Sequence, residues 1–324
     1  MTSQNLRVRP LEKTDALSVG LLNDAVFSEL GTEPVHSVES IVNMFETDWL
    51  DGGAGLTMWD GDRLAGYGWA RYPGTWAGGD AVHVGLFLLR PYREPAICRV
   101  LANPLLELAN ELGTQHGTRE AVTFYRSIDT VHPPVVHELG FVESSLTMLG
   151  FKHCLHTIPE TPLPQGVTLR PLALPDEIPL FDRLVDCAFD DRCHQGAPIS
   201  NSYLTFEASL PGFHPEQFLL ACNAGDPVGC AILLVARGNR ELTYELAQVS
   251  VNPEWRNRGV GTALVTAAMR WAASRKAAAF ISAAYNTNRI VTLYWRLGFR
   301  PDAIRTIRFF TRSLAVEPAT AARA

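Results

Sequence analysis

The sequence predicts an α/β protein made of two tandem domains, each with a mixed, mostly antiparallel sheet flanked by helices. The chain has 324 residues, which is more than one ordinary hydrophobic core accommodates. Within each half, short alternating apolar segments typical of strands are interleaved with segments of helical periodicity. Three landmarks of the first half also recur in the second half, in the same order and at nearly constant spacing. A duplicated α/β domain explains all three observations.

The repeat consists of a strand, a hairpin turn and a Leu-Gly-Phe segment. Each half begins with an alternating strand that ends at a proline and is followed by an acidic segment able to start a helix. The copies are separated by 158 to 163 residues, which indicates duplication rather than chance. The paired segments are residues 6–11 and 167–172, 61–66 and 225–229, and 138–141 and 296–299.

A proline-rich stretch at residues 153–166 separates the two copies. Prolines make such a stretch a semi-rigid linker. We therefore expect an N-terminal domain at residues 1–152, a C-terminal domain at residues 167–316 and a frayed tail at residues 317–324.

Composition and charge exclude several classes of protein. Hydrophobic residues make up 47% and charged residues 19% of the chain, which is typical of a globular protein. The formal net charge is -6 and no basic block is present, so neither nucleic acid nor an anionic membrane is expected as a partner. No apolar run reaches the length of a membrane span and the N-terminus lacks a signal-peptide pattern, so a cytoplasmic location is expected.

The six cysteines are scattered and form no Cys-x-x-Cys pair, so we expect reduced thiols. Cys187, Cys193 and His194 come closest to a metal cluster. Their spacing does not match the usual zinc modules and no fourth ligand is evident, so no metal site is expected.

The second half contains a strand that runs into a Gly-rich loop and then into a helix, at residues 248–265. Such a loop binds anions, because glycines allow close backbone approach and the first helical amides point outward. Arg256 and Arg258 add positive charge, so we expect a phosphate or pyrophosphate ligand. The loop lacks the lysine of a nucleoside-triphosphate loop, and Leu264 stands where a dinucleotide fingerprint needs its third glycine. The alternative is a strand-turn-helix junction with incidental arginines.

The pattern Arg-x-x-Gly-x-Gly from Arg256 to Gly261 resembles the acetyl-CoA pyrophosphate loop of the GNAT family of N-acetyltransferases. The resemblance covers most of residues 166–315 and, more faintly, residues 5–152. It implies acetyl-CoA as cosubstrate, with the pyrophosphate on the loop amides and the pantetheine arm along the preceding strand. The alternative for Val249 and Val251 is plain core packing. Both interpretations can be true, because the cofactor contact would be made through the backbone. The implied cofactor contacts are Val249, Ser250, Val251, Arg256, Asn257, Arg258, Gly259, Val260, Gly261, Thr262 and Asn288.

Glu245 is the expected general base. Strand alternation places residues 245, 247, 249 and 251 on one face, so this carboxylate would share the side that faces the cofactor. Glu245 stands 11 residues before Arg256, and the resemblance implies a general base at about this spacing. The alternative is a solvated strand carboxylate, and Glu241 is the second candidate base.

Tyr294 is the expected general acid. Its segment, Leu-Tyr-x-x-x-Gly-Phe ending at Phe299, resembles a GNAT segment whose tyrosine can protonate the CoA thiolate. The alternative is a half-buried helix tyrosine. The family usually has an asparagine seven residues before this tyrosine, where the chain has Thr287. We therefore assign the cofactor contact to Asn288, with Asn286 as the other candidate.

The first half lacks several features that such a site needs. Counting from Arg93, its two glycine positions hold Ala96 and Cys98, and Pro95 has no amide hydrogen for a phosphate. Val136 stands where the second half has its tyrosine. We expect the first domain to be a scaffold without productive acetyl-CoA binding.

These residues predict an acetyl-CoA-dependent N-acetyltransferase with its site in the C-terminal domain, acting by direct attack of a primary amine of a small molecule. The resemblance implies an acceptor pocket at residues 189–215, where Asp190 or Asp191 would hold a cationic amine; the alternative for these two residues is a solvated helix terminus. Two alternatives remain: a non-catalytic acetyl-CoA sensor and a protein-lysine acetyltransferase. The oligomeric state is left open between monomer and dimer.

Overall fold

A computed structural model describes residues 5–31, 37–46, 53–72, 81–130, 132–189, 208, 213–236, 241–286 and 289–315 of the chain. The chain divides into two compact units. The first unit joins Met1–Thr147 to Ile307–Ala324, and the second unit is Met148–Thr306.

The first unit is a mixed sheet packed with helices. Its strands, in sheet order, are β1 (Leu6–Pro10), β2 (Gly53–Asp60), β3 (Arg63–Arg71), β4 (Ala81–Leu88), β5 (Glu120–Arg126) and β13 (Ile307–Ser313). The neighbours β4 and β5 pair in parallel, and the other neighbours pair antiparallel. Its helices are α1 (Ala16–Glu29), α2 (Val38–Glu46), α3 (Pro95–His116) and α4 (His132–Glu138).

The second unit follows the same plan. Its strands, in sheet order, are β7 (Val167–Pro171), β8 (Phe218–Asn223), β9 (Asp226–Val235), β10 (Thr243–Val251), β11 (Ala279–Tyr285) and the last part of β6 (Val142–His153). Here β10 and β11 pair in parallel, and the other neighbours pair antiparallel. The short strand β12 (Arg300–Pro301) also pairs with β6. The helices are α5 (Ile178–Phe189), α6 (Val260–Ser274) and α7 (Ile290–Arg296).

The sheet of the second unit is apolar on both faces, and each face is covered by a different helix. Successive strand residues point to opposite sides, so alternate positions enter different clusters. Leu233 and Leu246 pack with Leu264 of α6. Leu234 packs in a separate cluster with Phe181 of α5. Strands buried on both faces account for the near-continuous apolar runs in the sequence.

Matching ion pairs in the two units support the predicted duplication. Arg9, in β1, makes two contacts of 2.8 and 2.6 Å with Asp15, at the start of α1. Arg170, in β7, makes two contacts of 2.7 and 2.6 Å with Glu177, just before α5. In both copies a bidentate arginine therefore holds the first strand to the first helix.

The helices α4 and α7 end in the same way. Gly140 and Gly298 follow them with φ angles of 85° and 90°, a left-handed conformation that glycine adopts without strain. The residue after each glycine donates its N–H to the carbonyl of Val136 or of Tyr294, at 3.0 Å in both cases. Val136 and Tyr294 therefore occupy equivalent positions of the two copies.

The compact units do not follow the chain in linear order. Strand Ile307–Ser313 pairs with β5 in the first unit, and residues 148–166 fall in the second unit. The boundaries expected from the sequence describe the repeat, whereas each compact unit takes its last strand from the other half of the chain. Within the described ranges, no helix has the length and apolar character needed to cross a membrane.

Candidate active site

A wedge-shaped opening lies between β10 and β11. The parallel pairing of these strands ends at Leu246 and Ser282, yet the strands continue to Val251 and Tyr285. Over the same length β10 remains paired with β9 on its other side. The edge of β10 beyond Leu246 is therefore no longer paired with β11, and an edge of this kind can hydrogen-bond an extended ligand.

A bulge lies in β10 at the apex of this opening. Leu246 lies opposite Leu233, and Gln248 lies opposite Ile232, so Ala247 is an extra residue without a partner of its own. An extra residue bends a strand and changes the side on which the following residues lie. The bulge therefore accompanies the separation of β10 from β11, and it determines on which face of the sheet the residues after Ala247 lie.

The bulge overturns the expected alternation along β10. Glu245 lies opposite Leu234, and Ala247 packs in the same cluster, on the face covered by α5. Val249 and Val251 pack instead in the cluster that includes α6. The prediction that residues 245, 247, 249 and 251 share one face is therefore wrong, because the extra residue reverses the side of the residues after it.

The loop after β10 leads into a helix start whose amides have no partner within the helix. Asn257 and Gly259 have φ angles of 61° and 88°, in the left-handed region that asparagine and glycine tolerate best. Gly259 is the N-cap of α6. The N–H groups of Val260, Gly261 and Thr262 form the first turn, which a helix cannot satisfy internally. Together with the helix dipole, these groups are able to bind an anion.

Gly261 lies at the mouth of the opening. A Cβ atom added there would lie 3.6 Å from Cγ2 of Val251 and 4.0 Å from Cδ2 of Leu293. The start of α6, the end of β10 and α7 therefore meet at this glycine. A methyl group fits at these distances, whereas a longer side chain would extend into the opening.

Arg256 has a structural contact. Its Nε donates to the carbonyl of Val251 at 3.2 Å and so holds the loop against the end of β10. Arg93 makes the same contact in the first unit, where its Nε donates to the carbonyl of Leu88 at 2.7 Å. Since the first unit lacks the glycines, this arginine contact belongs to the fold that both copies share.

Arg258 is the exposed arginine of the loop. Its guanidinium lies over the ring of Trp255, 5.1 Å from the centroid. A cation stacked on an aromatic ring keeps its donors available at the ring edge. We therefore expect Arg258, more than Arg256, to add positive charge to the anion site.

Glu245 is partly buried on the α5 face. Burial raises the pKa of its carboxyl group, and the positive charge of Arg305 opposes this shift. A carboxylate with a raised pKa is a better proton acceptor near neutral pH. The second candidate base, Glu241, is exposed and precedes β10, so it does not lie on the strand.

Tyr294 is buried in α7, with 3% of its surface exposed. Burial raises the pKa of its hydroxyl to about 12; a hydrogen bond with Ser282 opposes the shift and the charge of Glu245 adds to it. The hydroxyl oxygens of Tyr294 and Ser282 are 2.8 Å apart. Sequence spacing did not identify Ser282, because the contact depends on the parallel register of β11.

The corresponding opening in the first unit is filled. The parallel pairing on β5 ends at Val122. Leu86, Tyr125 and Val136 help to line what remains there, a cavity of about 10 Å³, which is room for about one water molecule. The helix after β4, α3, begins at Pro95, which has no amide hydrogen.

A larger cavity, of about 670 Å³, lies elsewhere in the second unit. Its walls include Lys152, Arg296 and Arg300, and no described residue of β10 or of its loop lines it. Arg296 lies in the last turn of α7, where a cation offsets the helix dipole. Arg305 is paired with Asp302 at 2.7 Å. This cavity is therefore lined by residues outside β10 and its loop, and two of its cations, Arg296 and Arg305, have structural uses.

Several predicted site residues lie outside the described part of the chain. They are Asn288, Asp190, Asp191 and most of the acceptor segment at residues 189–215. Asn286 is described; it is exposed and directly follows β11. Among the described residues, no group of three His, Cys, Asp or Glu side chains could hold a metal ion. Cys193 and His194 lie outside those residues.

Comparison with known proteins finds similarity to a family in the second half of the chain and to the fold of nearly the whole chain. Residues 182–299 match the model of the acetyltransferase (GNAT) family, and this range contains the loop, Glu245 and Tyr294. A GCN5-related N-acetyltransferase from Sphaerobacter thermophilus has a similar structure, with a TM-score of 0.71, 17% identity and 97% of each chain covered. A tandem GNAT protein from the clavulanic acid biosynthesis pathway has a TM-score of 0.68 at 17% identity, covering 97% of this chain and 100% of that chain.

A third similar structure is the glucosamine N-acetyltransferase region of a fungal multi-domain β-N-acetylglucosaminidase. Its TM-score is 0.68 at 14% identity, covering 94% of this chain and 38% of that chain. No match was found among curated proteins. At these identities the structural likeness shows the fold, and it confirms the predicted tandem arrangement of mixed sheets flanked by helices.

Proposed function

Because residues 182–299 match the acetyltransferase (GNAT) family model, we propose that this chain transfers an acetyl group from acetyl-CoA to the primary amine of a small molecule. The observation that carries the proposal is the opening between β10 and β11, with the start of α6 at its mouth. Transfer to an amine needs a held thioester, a neutral amine and a proton for the departing thiolate. The residues around the opening can supply each of these.

The loop and the edge of β10 suit the two polar parts of acetyl-CoA. The first amides of α6 and the charge of Arg258 would hold the pyrophosphate. The unpaired edge at residues 249–251 would hydrogen-bond the amides of the pantetheine arm, as an added strand does. Gly261, lacking a side chain, leaves the passage between them clear. Acetyl-CoA supplies the activated acetyl group, and these residues fix it near the bulge.

The base and the acid would act from opposite sides of the opening. Glu245 lies on the α5 face, and Tyr294 packs in the α6 cluster. Glu245 would take a proton from the amine nitrogen that approaches from the α5 side. Tyr294 would give its proton to the thiolate on the other side. Separation of the two groups by the sheet edge keeps the acid from protonating the base directly.

The acceptor is proposed to be a small amine that enters from the α5 face, because Glu245 lies there. One structure of the same fold is named a glucosamine N-acetyltransferase region. Amino sugars and aminoglycosides therefore belong among the first acceptors to be assayed. The first unit is proposed to bind no acetyl-CoA, since its opening is filled and α3 begins at a proline.

The test is release of CoA thiol from acetyl-CoA, measured with glucosamine, aminoglycosides, other small amines and lysine peptides as acceptors. One strong small-molecule acceptor, with activity lost in Glu245→Gln, would support the proposal. Activity confined to lysine peptides would favour a protein acetyltransferase. Tight acetyl-CoA binding without thiol release from any acceptor would favour a sensor.

A further inference from the structure

Ser282 is a buried residue that joins the two walls of the opening. It is 2% exposed and lies at the last position of β11 that pairs with β10. Its Oγ lies 3.0 Å from the carbonyl oxygen of Leu246 and 2.8 Å from Oη of Tyr294. One hydroxyl group therefore connects the apex of the opening, next to the bulge, with the candidate acid on α7.

The number of hydrogens limits how these contacts can be made. A hydroxyl group donates one hydrogen and can accept two, whereas a carbonyl oxygen only accepts. In one arrangement Ser282 donates to Leu246 and accepts the hydrogen of Tyr294. In the other, Ser282 donates to Tyr294, and the tyrosine hydrogen is free to point into the opening. The two arrangements differ by rotation of hydroxyl groups and need no movement of heavy atoms.

We propose that Ser282 is a positioning residue for the acid: its hydroxyl holds Tyr294 at the opening and donates a hydrogen bond to Oη as Tyr294 gives up its proton. This inference rests on the proposed acetyltransferase function. In that step Tyr294 transfers its proton to the sulfur that has received the electron pair of the broken C–S bond. The products are the CoA thiol and a tyrosinate, which Ser282 stabilises until exchange with water restores the proton. Glu245 returns the proton of the amine to water in the same way.

The surroundings of Tyr294 explain why the hydrogen bond matters. The rings of Phe151 and Phe299 lie 5.2 and 5.0 Å from the tyrosine ring, between centroids. Apolar walls disfavour a charged oxygen, so a buried tyrosinate needs a donor. Ser282 provides that donor from a strand, whose position is fixed by pairing on both sides.

The hydrogen bond can be tested without turnover, by NMR of protein labelled with ¹³C at the tyrosine Cζ. Tyr294→Phe assigns the resonance by removing it. We expect Ser282→Ala to move the Tyr294 resonance and leave the other tyrosines in place, and Ser282→Thr, which keeps the hydroxyl, to retain most of the original shift. A Tyr294 resonance unmoved by Ser282→Ala would overturn the inference.

The role in the acid step is tested by kcat for CoA release from acetyl-CoA, with the best amine acceptor found or with water as the acceptor. Ser282→Ala should lower kcat by about 10- to 100-fold and leave the Kd of acetyl-CoA unchanged. The double variant with Tyr294→Phe should be no slower than Tyr294→Phe alone, because serine acts through tyrosine.

If the losses in kcat of Ser282→Ala and Tyr294→Phe multiply in the double variant, Ser282 acts independently of Tyr294 and the inference is overturned. A loss in Tyr294→Phe with full activity in Ser282→Ala would overturn it while leaving the proposed function intact. Full activity in Tyr294→Phe would show that Tyr294 is not the general acid. That result would overturn both the inference and the part of the proposed function that assigns the acid.

Discussion

Glu245 and Val249 lie on opposite faces of β10, although they are four residues apart in one strand. The bulge at Ala247 separates them, and it lies at the point where β10 parts from β11. A carboxylate before the bulge can therefore reach the opening from the α5 side, while the strand edge after the bulge is left for a ligand. The position of the base relative to the opening depends on one extra residue.

Replacement of Glu245 by Gln should remove the base and leave the cofactor site intact. We expect kcat to fall by about 10²–10⁴-fold near neutral pH, since general-base catalysis contributes on that order. The Kd of acetyl-CoA should stay unchanged, because the loop is untouched. In the wild type, activity should fall on acidification through the raised pKa of this carboxyl group. Steady-state rates and calorimetry across pH measure both effects.

Glu241→Gln is the matched control for this variant. The same chemical change is made at an exposed carboxylate that precedes β10. Its kcat should equal that of the wild type. Equal losses in the two variants, or full activity in Glu245→Gln, would remove Glu245 from the mechanism.

The same carboxyl group should make stability depend on pH. Its pKa is raised by burial in the folded chain, so the folded state binds the proton more tightly than the unfolded state does. The contribution of Glu245 to stability therefore decreases as pH rises from its unfolded pKa through its folded pKa, by about 1.4 kcal/mol per unit of pKa difference.

The direction of this pH dependence predicts how the thermal midpoint of Glu245→Gln compares with that of the wild type. The two proteins should have similar midpoints at acidic pH, where the carboxyl is protonated in both states. The Gln variant should become the more stable one at pH 8. A difference that shrinks with rising pH would contradict the direction of the shift.

The two arginines of the loop should have separable effects. Arg258→Ala should weaken acetyl-CoA binding by about tenfold, the loss of one charge-assisted contact, and leave the thermal midpoint unchanged. Arg256→Ala should lower the midpoint, because its contact with the carbonyl of Val251 holds the loop to β10. Differential scanning fluorimetry measures the thermal midpoint of both variants, and calorimetry measures their affinity for acetyl-CoA. Unchanged binding in Arg258→Ala would assign the ligand charge to Arg256 instead.

Features that depend on local spacing were predictable from the sequence. Gly259 and Gly261 identify the helix start, since left-handed backbone and close approach both favour glycine. The place of Tyr294 near the end of its helix was predictable from its distance to Gly298, which follows that helix. The duplication was also readable, because equivalent turns and strands recur at nearly constant spacing.

Features that depend on strand register were not predictable. The bulge at Ala247 leaves no mark in the apolar pattern, so alternation placed Glu245 on the wrong side. The contact of Ser282 with Tyr294 needs the parallel pairing of β10 and β11. The membership of β13 in the first unit likewise follows from pairing over a long distance in sequence. The contact of Arg256 Nε with the carbonyl of Val251 also depends on how the loop folds back onto β10, which the residue type does not reveal.

Calorimetric titration of acetyl-CoA into wild type, Gly261→Asp and Ala96→Asp tests the central claim most directly. Gly261 borders the opening, and Ala96 is an exposed residue at the equivalent helix start of the first unit. We predict one site per chain in the wild type, no detectable binding in Gly261→Asp and unchanged binding in Ala96→Asp. Two sites per chain, or binding that survives Gly261→Asp and is lost in Ala96→Asp, would contradict an acetyl-CoA site in the second unit.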